Sequence, residues 1–277
     1  MFLGEESILS GEAHCRSNID LPGAQEQLIE AVAATGKPIV LVVMAGRPLT
    51  LTSIIDKVDA ILYAWHPGTM GGPAIIDLLF GLASPSGKLP ITFPRVVGQI
   101  PLYYSQKNTG KPATDESYVH MKDIPARAQQ TSLGMAATHL DTHFSPLFPF
   151  GFGLSYSEFE YSDIQVSCAS ISLGETVTIS AQITNVGQCD CEEVVQLYVR
   201  DLVGNVTRPV KELKGFQRIN LDAGATQRVV FSIHTNDLAF HDRNMELKAE
   251  PGLFHVWIGG DSESKLRSEF NIKRDVM

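Results

Sequence analysis

The chain has 277 residues, enough for two ordinary domains each with its own core. Apolar residues make up 44% and charged residues 19%, the balance of folded globular protein, which excludes wholesale disorder. A formal net charge of −9 excludes a general nucleic-acid binder, and no apolar run approaches the ~18 residues of a bilayer span, so neither nucleic acid nor membrane is expected as a partner.

In chain order, residues 25–35 place apolar side chains at helical spacing, and Gly36 stops them. Pro38-Ile-Val-Leu-Val-Val-Met44 is a continuous apolar run of the kind found in a parallel strand buried on both faces. A helix-like segment over 49–56 leads to a second buried strand, Val58-Asp-Ala-Ile-Leu-Tyr-Ala-Trp65. Gly68-Thr-Met-Gly-Gly72 then opens a helix over 73–80, closed by Gly81. Strand, helix, strand, helix predicts a parallel α/β layer. A short strand is expected at Leu89-Pro-Ile-Thr-Phe93, and residues 105–143 read as a long polar loop, which in a compact domain points to function or disorder.

Leu147-Phe-Pro-Phe-Gly-Phe-Gly-Leu-Ser-Tyr156 is an aromatic and Gly-rich seam where the pattern changes. Beyond it, period-2 alternation takes over in Thr176–Ile183, Val194–Val199, Arg228–Ile233 and Phe254–Ile258, with turn signals at Asn185-Val-Gly187, Asp222-Ala-Gly224 and Pro251-Gly252. Roughly seven short strands over about 120 residues predict an all-β sandwich of fibronectin type III or immunoglobulin kind. The predicted domains are 1–150 and 151–277.

Most local motifs favour structural roles. Gly68–Gly72 lies between a strand and a helix, where phosphates bind, yet it matches neither G-x-G-x-x-G nor a P-loop and reads better as a tight crossover turn. His139 and His143 flank Asp141 at a spacing reminiscent of zinc ligands, but Pro146 leaves little room for a helix, and no metal is expected. Gly153-Leu-Ser155-Tyr-Ser157 lacks the pattern and the following helix of a hydrolase elbow. Cys189 and Cys191 would share one face of a strand as structural thiols, with Cys15 and Cys168 far away in sequence. Ser10-Gly-Glu-Ala-His-Cys-Arg-Ser17 is different: Glu12 has His14 and Arg16 close by in a loop ahead of the first helix. A nearby cation and partial burial are opposing influences that tune a carboxylate for proton transfer; the competing reading is a surface Glu paired with Arg16.

Taken together and in order, Gly36-Lys-Pro38, Gly46-Arg-Pro-Leu49, Trp65-x-x-Gly68, Pro85-Ser-Gly-Lys-Leu-Pro90, Thr92-Phe-Pro94, Gly98-Gln-Ile-Pro101, Asn108-Thr-Gly110, Pro149-Phe-Gly-Phe-Gly-Leu-Ser-Tyr156, Arg208-Pro-Val-Lys211 and Leu213-Lys-Gly-Phe216 resemble the C-terminal portion of glycoside hydrolase family 3, of the bacterial β-glucosidase type. The resemblance covers essentially the whole chain. It implies part of an α/β sandwich domain followed by a fibronectin type III-like domain, in an enzyme whose catalytic barrel precedes both. It implies retention, with a barrel Asp as nucleophile and a loop Glu as general acid/base.

Glu12 best matches that acid/base; Glu5 and Glu6, in an earlier Gly-Glu pair, are weaker candidates. No Asp-Trp pair of the kind expected at the nucleophile occurs here, and the strand before the Glu12 loop reduces to Met1-Phe-Leu3. The resemblance therefore implies a fragment that supplies one carboxylate of two. A β-linked glucoside or oligosaccharide is the implied substrate and a barrel domain the implied partner, with no cofactor. Alternatively, the chain is a non-catalytic interaction or carbohydrate-binding module complementing a separate barrel. Periplasmic or secreted placement is implied, although the first residues carry no signal-peptide pattern.

Overall fold

Leu41, Val42 and Val43 are consecutive and all essentially inaccessible. Side chains alternate across a strand, so this run must be covered on both faces. It lies in the central strand of a parallel sheet, β1 (Phe2–Gly4), β2 (Val40–Met44) and β3 (Ala60–Tyr63), ordered β1-β2-β3. In the computed structural model, which describes residues 1–274, these strands belong to the first of two compact units. That unit comprises Met1–Ala83, Ile91–Leu102 and Gly110–Phe148; the second comprises Ser84–Pro90, Tyr103–Thr109 and the chain from Pro149 onward.

Helix α1 (Gln25–Ala33) connects β1 to β2 and buries Ile29 against Leu41, Val43, Leu49, Leu51 and Ile54. Gly36, at φ 68°, takes the left-handed conformation that ends the helix region cheaply only for glycine. Helix α2 (Gly71–Leu79) follows β3 and has Pro73 in its first turn, where a missing N–H costs nothing.

Three local expectations change. Strand β3 pairs with β2 alone, so its side chains are half-buried rather than doubly buried. Residues 49–56 yield only a 3₁₀ turn, Ile55–Lys57. Leu49 and Leu51 are both fully buried, an i, i+2 pattern incompatible with one helix face, and the Thr50 N–H bonds Ile19 O at 3.0 Å. Leu89–Phe93 is not a strand: Pro90 lacks a ladder donor, and Phe93 makes only an isolated bridge to Phe148.

The second unit holds the sandwich. One sheet contains β4 (Phe159–Val166), β6 (Thr176–Asn185) and β9 (Thr226–His234), ordered β4-β6-β9. The other contains β5 (Ser170–Ile171), β7 (Cys191–Asp201), β8 (Glu212–Leu221), β12 (Gly252–Gly259) and β13 (Arg267–Ile272), ordered β5-β13-β12-β7-β8. A hairpin, β10 (Phe240–His241) with β11 (Leu247–Lys248), precedes β12.

The alternation does what period-2 patterning requires. Val177, Ile179, Ala181 and Ile183 point inward from β6 and share a core with Val195, Leu197 and Val199 of β7, while Phe254 and Phe270 stack at 5.3 Å. The cysteines depart from expectation: Cys191 opens β7 and is buried, but Cys189 precedes the strand and is exposed, so they do not share a strand face.

Lys211 supplies a pH test of this unit. Its Nζ lies 4.7 Å from the Trp257 ring centroid and donates to Ser262 O and Ser264 O at 2.6 and 3.1 Å. Burial, helped by the Lys265 charge, pushes its pKa down to about 8 from 10.5. Between those values the unfolded chain holds a proton that the native state does not, so this group makes stability rise with pH. Urea unfolding from pH 8 to 10 is expected to show wild-type stability rising relative to Lys211→Met; a constant difference would rule this out.

Candidate functional site: the Glu12 loop

In a parallel sheet all strands deliver their carboxyl ends to one edge, where loops form sites. Here that edge carries Glu5 after β1, Ala45–Arg47 after β2 and Trp65–His66 after β3. Gly4 makes the first exit: at φ 138°, any Cβ would lie 1.9 Å from Met44 O, so only glycine fits. The Gln25 amide holds both backbone groups of Gly4, accepting from its N–H and donating to its carbonyl at 2.8 Å each.

The loop continues through a 3₁₀ turn, Ser7–Leu9, and returns at Asp20, where Thr50 Oγ donates to the Asp20 carboxylate. Gly11–Cys15 are exposed, and the Glu12 carboxylate makes no hydrogen bond or ion pair with the described residues. Arg16 is not its partner. The Arg16 guanidinium instead donates to Glu5 Oε1 at 2.6 Å, and Arg47 donates to the same oxygen at 2.9 Å. The Glu5 side chain is wholly buried, which suits a structural carboxylate rather than one meeting substrate; Glu6 is exposed beside it.

Arg47 is the residue that sequence reasoning passed over, since Gly46-Arg-Pro-Leu49 registered only as a motif. Its backbone is fixed by Tyr63, whose hydroxyl donates to Arg47 O and accepts from Leu49 N–H at 3.2 Å. Burial pushes the Tyr63 pKa up to about 12, so the hydroxyl keeps its proton throughout the physiological range. Tyr63 packs against Trp65 and Phe93 at 4.7 and 4.9 Å, and Trp65 itself adopts φ 53°, an unusual conformation for a bulky residue.

The other sequence features resolve simply. His139 and Asp141 line a cleft of about 550 Å³ with Ser17, Asn18 and Asp20, whereas His143 turns to Ser145 Oγ at 2.7 Å and Asp115 at 3.3 Å. The two imidazoles therefore do not converge, and no group of three metal-ligating side chains occurs among the described residues. Gly68–Gly72 is a turn in which Gly71 N–H donates to Gly68 O at 3.1 Å, and Ser155 Oγ donates to Ser157 O. No helix among the described residues is long and apolar enough to cross a membrane.

Comparison with known proteins identifies the family and its domains. Residues 1–156 match the family model of the glycosyl hydrolase family 3 C-terminal domain, and residues 193–262 match that of a fibronectin type III-like domain. The chain is 43% identical over 270 residues to a periplasmic beta-glucosidase of Salmonella typhimurium, covering 98% of this chain and 34% of that protein. A beta-xylosidase of Formosa agariphila is 35% identical over 264 residues, covering 95% of this chain and 34% of its own. The crystal structure of a beta-glucosidase from Listeria innocua in complex with glucose superposes with a TM-score of 0.89 at 36% identity, over 100% of this chain and 36% of that one. The chain thus spans about a third of the length of these relatives. It belongs to glycosyl hydrolase family 3, whose C-terminal domain it carries together with a fibronectin type III-like domain.

Proposed function

We propose that this chain supplies the general acid/base, Glu12, of a retaining β-glucosidase-like hydrolase whose nucleophilic Asp comes from a catalytic barrel outside it. The substrate is a β-linked glucoside or oligosaccharide, the setting is periplasmic or secreted by likeness to the Salmonella relative, and no cofactor takes part. The single observation that supports this reading is the contrast within one loop: Glu5 is buried and doubly paired, while Glu12 stands exposed and unpaired at the crest.

Glu12 protonates the departing glycosidic oxygen and, as the carboxylate, then deprotonates the water that releases the glycosyl enzyme. Two carboxyl groups about 5–5.5 Å apart are needed for retention, so the chain by itself does not turn over an aryl β-glucoside.

The test uses the full-length hydrolase. Glu12→Gln is expected to slow an alkyl β-glucoside, whose leaving group needs a proton, far more than it slows glycosyl transfer from a dinitrophenyl β-glucoside, whose leaving group does not. Pre-steady-state release of dinitrophenolate reads the second rate. Equal slowing of both, or of neither, would reject the assignment.

A further inference from the structure

The residues on either side of Glu12 hold conformations that the surrounding structure must support. Gly11 has φ 149° and Ala13 has φ 64°, both outside the conformations that ordinary residues prefer. A carboxylate that must meet one glycosidic oxygen needs a fixed origin, and the loop provides it from below. Arg47 Nη2 donates to both Leu9 O at 2.8 Å and His14 O at 3.1 Å. One nitrogen thereby closes a neck around Ser10–Ala13, the segment bearing Glu12.

The guanidinium is itself held. Its Nη1 donates to Glu5 Oε1, which Arg16 Nη1 also engages, and Arg16 Nη2 donates to Asp20 O at 2.9 Å on the returning arm. A second tether joins Ser10 Oγ to His66 Nε2 at 3.3 Å. Glu5 Oε2 is buried without a hydrogen-bond partner, so the cluster is not optimised for stability alone. Buried ion clusters contribute little net stability compared with apolar packing, and geometric registration is their better-attested use.

Resting on the acid/base reading of Glu12, we propose that Glu5 and Arg47 are positioning residues: they clamp the neck of the loop and so fix where the Glu12 carboxylate points. The clamp makes no contact with substrate. Its loss costs proton transfer and leaves the barrel's glycosyl chemistry intact.

Three variants of the full-length hydrolase, Arg47→Met, Arg47→Lys and Glu5→Gln, test this against Glu12→Gln. For Arg47→Met, turnover of an alkyl β-glucoside is expected to fall about 100-fold with KM little changed, the scale of a catalytic group misplaced by an ångström. Dinitrophenolate release in the pre-steady state is expected to stay near wild type, and Arg47→Lys to recover part of the loss. Falling amounts of folded enzyme would lower both rates equally, and that result would overturn the proposal. If Arg47→Met fails to fold, Arg47→Lys and Glu5→Gln carry the same comparison.

Hydrogen exchange on the 277-residue chain gives a readout independent of turnover. Amides of 9–16 are expected to exchange faster in Arg47→Lys while β2 stays protected; unchanged loop exchange would overturn the clamp. Were Glu12→Gln to keep full alkyl glucoside turnover, the acid/base reading itself would fall. Were it to lose that turnover while the clamp variants kept it, only the positioning role would fall.

Discussion

Glu12→Ala in the full-length hydrolase is expected to lower turnover of an unactivated β-glucoside by about 10²–10⁴-fold, the contribution of a positioned general acid/base. That range corresponds to about 3–5 kcal/mol of barrier. The reasoning is electronic. An alkoxide leaving group is too basic to depart unprotonated, whereas dinitrophenolate departs unaided, so the variant should still form a glycosyl enzyme from the activated substrate. The intermediate then accumulates, because water lacks a base to take its proton. Azide needs no base and meets no carboxylate repulsion in the space left by the side chain. Added azide is therefore expected to restore turnover and to give β-glucosyl azide with retained configuration. Loss of activity without azide rescue, or an α-azide product, would remove Glu12 from the acid/base role.

The second large effect concerns stability of the second unit. Glu193 projects from β7 with 5% of its side chain exposed, and Lys88, 12% exposed, places Nζ 2.9 Å from Glu193 Oε1. Lys88 also donates to Gly153 O at 2.9 Å, and the Tyr161 hydroxyl donates to Glu193 Oε1 at 2.7 Å. Burial, reinforced by the Glu193 charge, raises the Tyr161 pKa and keeps that hydroxyl a donor.

Glu193→Ala strands a buried ammonium, and removing one partner of such a pair costs about 3–5 kcal/mol. Replacing both ions, as Lys88→Met with Glu193→Leu, is expected to recover much of the loss, since no charge is left unpaired. Urea unfolding of wild type, Lys88→Met, Glu193→Leu and the double variant closes the cycle and gives the coupling directly, with Glu193→Ala measured beside them. If the double variant were no more stable than Glu193→Ala, the stranded-charge explanation would be wrong.

What was legible in advance follows the range of the interactions concerned. Alternation at Val177, Ile179, Ala181 and Ile183 announced β6, because period-2 burial is a property of consecutive residues. The unbroken run Leu41–Val43 likewise announced a strand covered on both faces. Residues 49–56 looked helical, but Leu49 and Leu51 are claimed by a core whose other members lie at Ile19, Ile29 and Leu41. Leu89–Phe93 looked like a strand, yet Phe93 finds its backbone partner at Phe148, far along the chain.

The site divides in the same way. Glu12 was visible as a Gly-flanked loop carboxylate, and the order of motifs from Gly36 to Phe216 identified the family that the comparisons confirm. Local reading, however, set Arg16 beside Glu12 and offered their pairing as the competing reading, because they are neighbours. In the structure Arg16 goes to Glu5, 11 positions away, and Arg47 reaches Glu5 across 42. The sequence by itself determined the alternation of the sandwich strands, the family and the presence of a loop carboxylate, since these depend on short-range periodicity and on residue identity. Only the tertiary structure decided which charges pair, because a buried carboxylate must recruit cations from wherever the fold brings them. That recruitment left Glu5 as the anchor and Glu12 free.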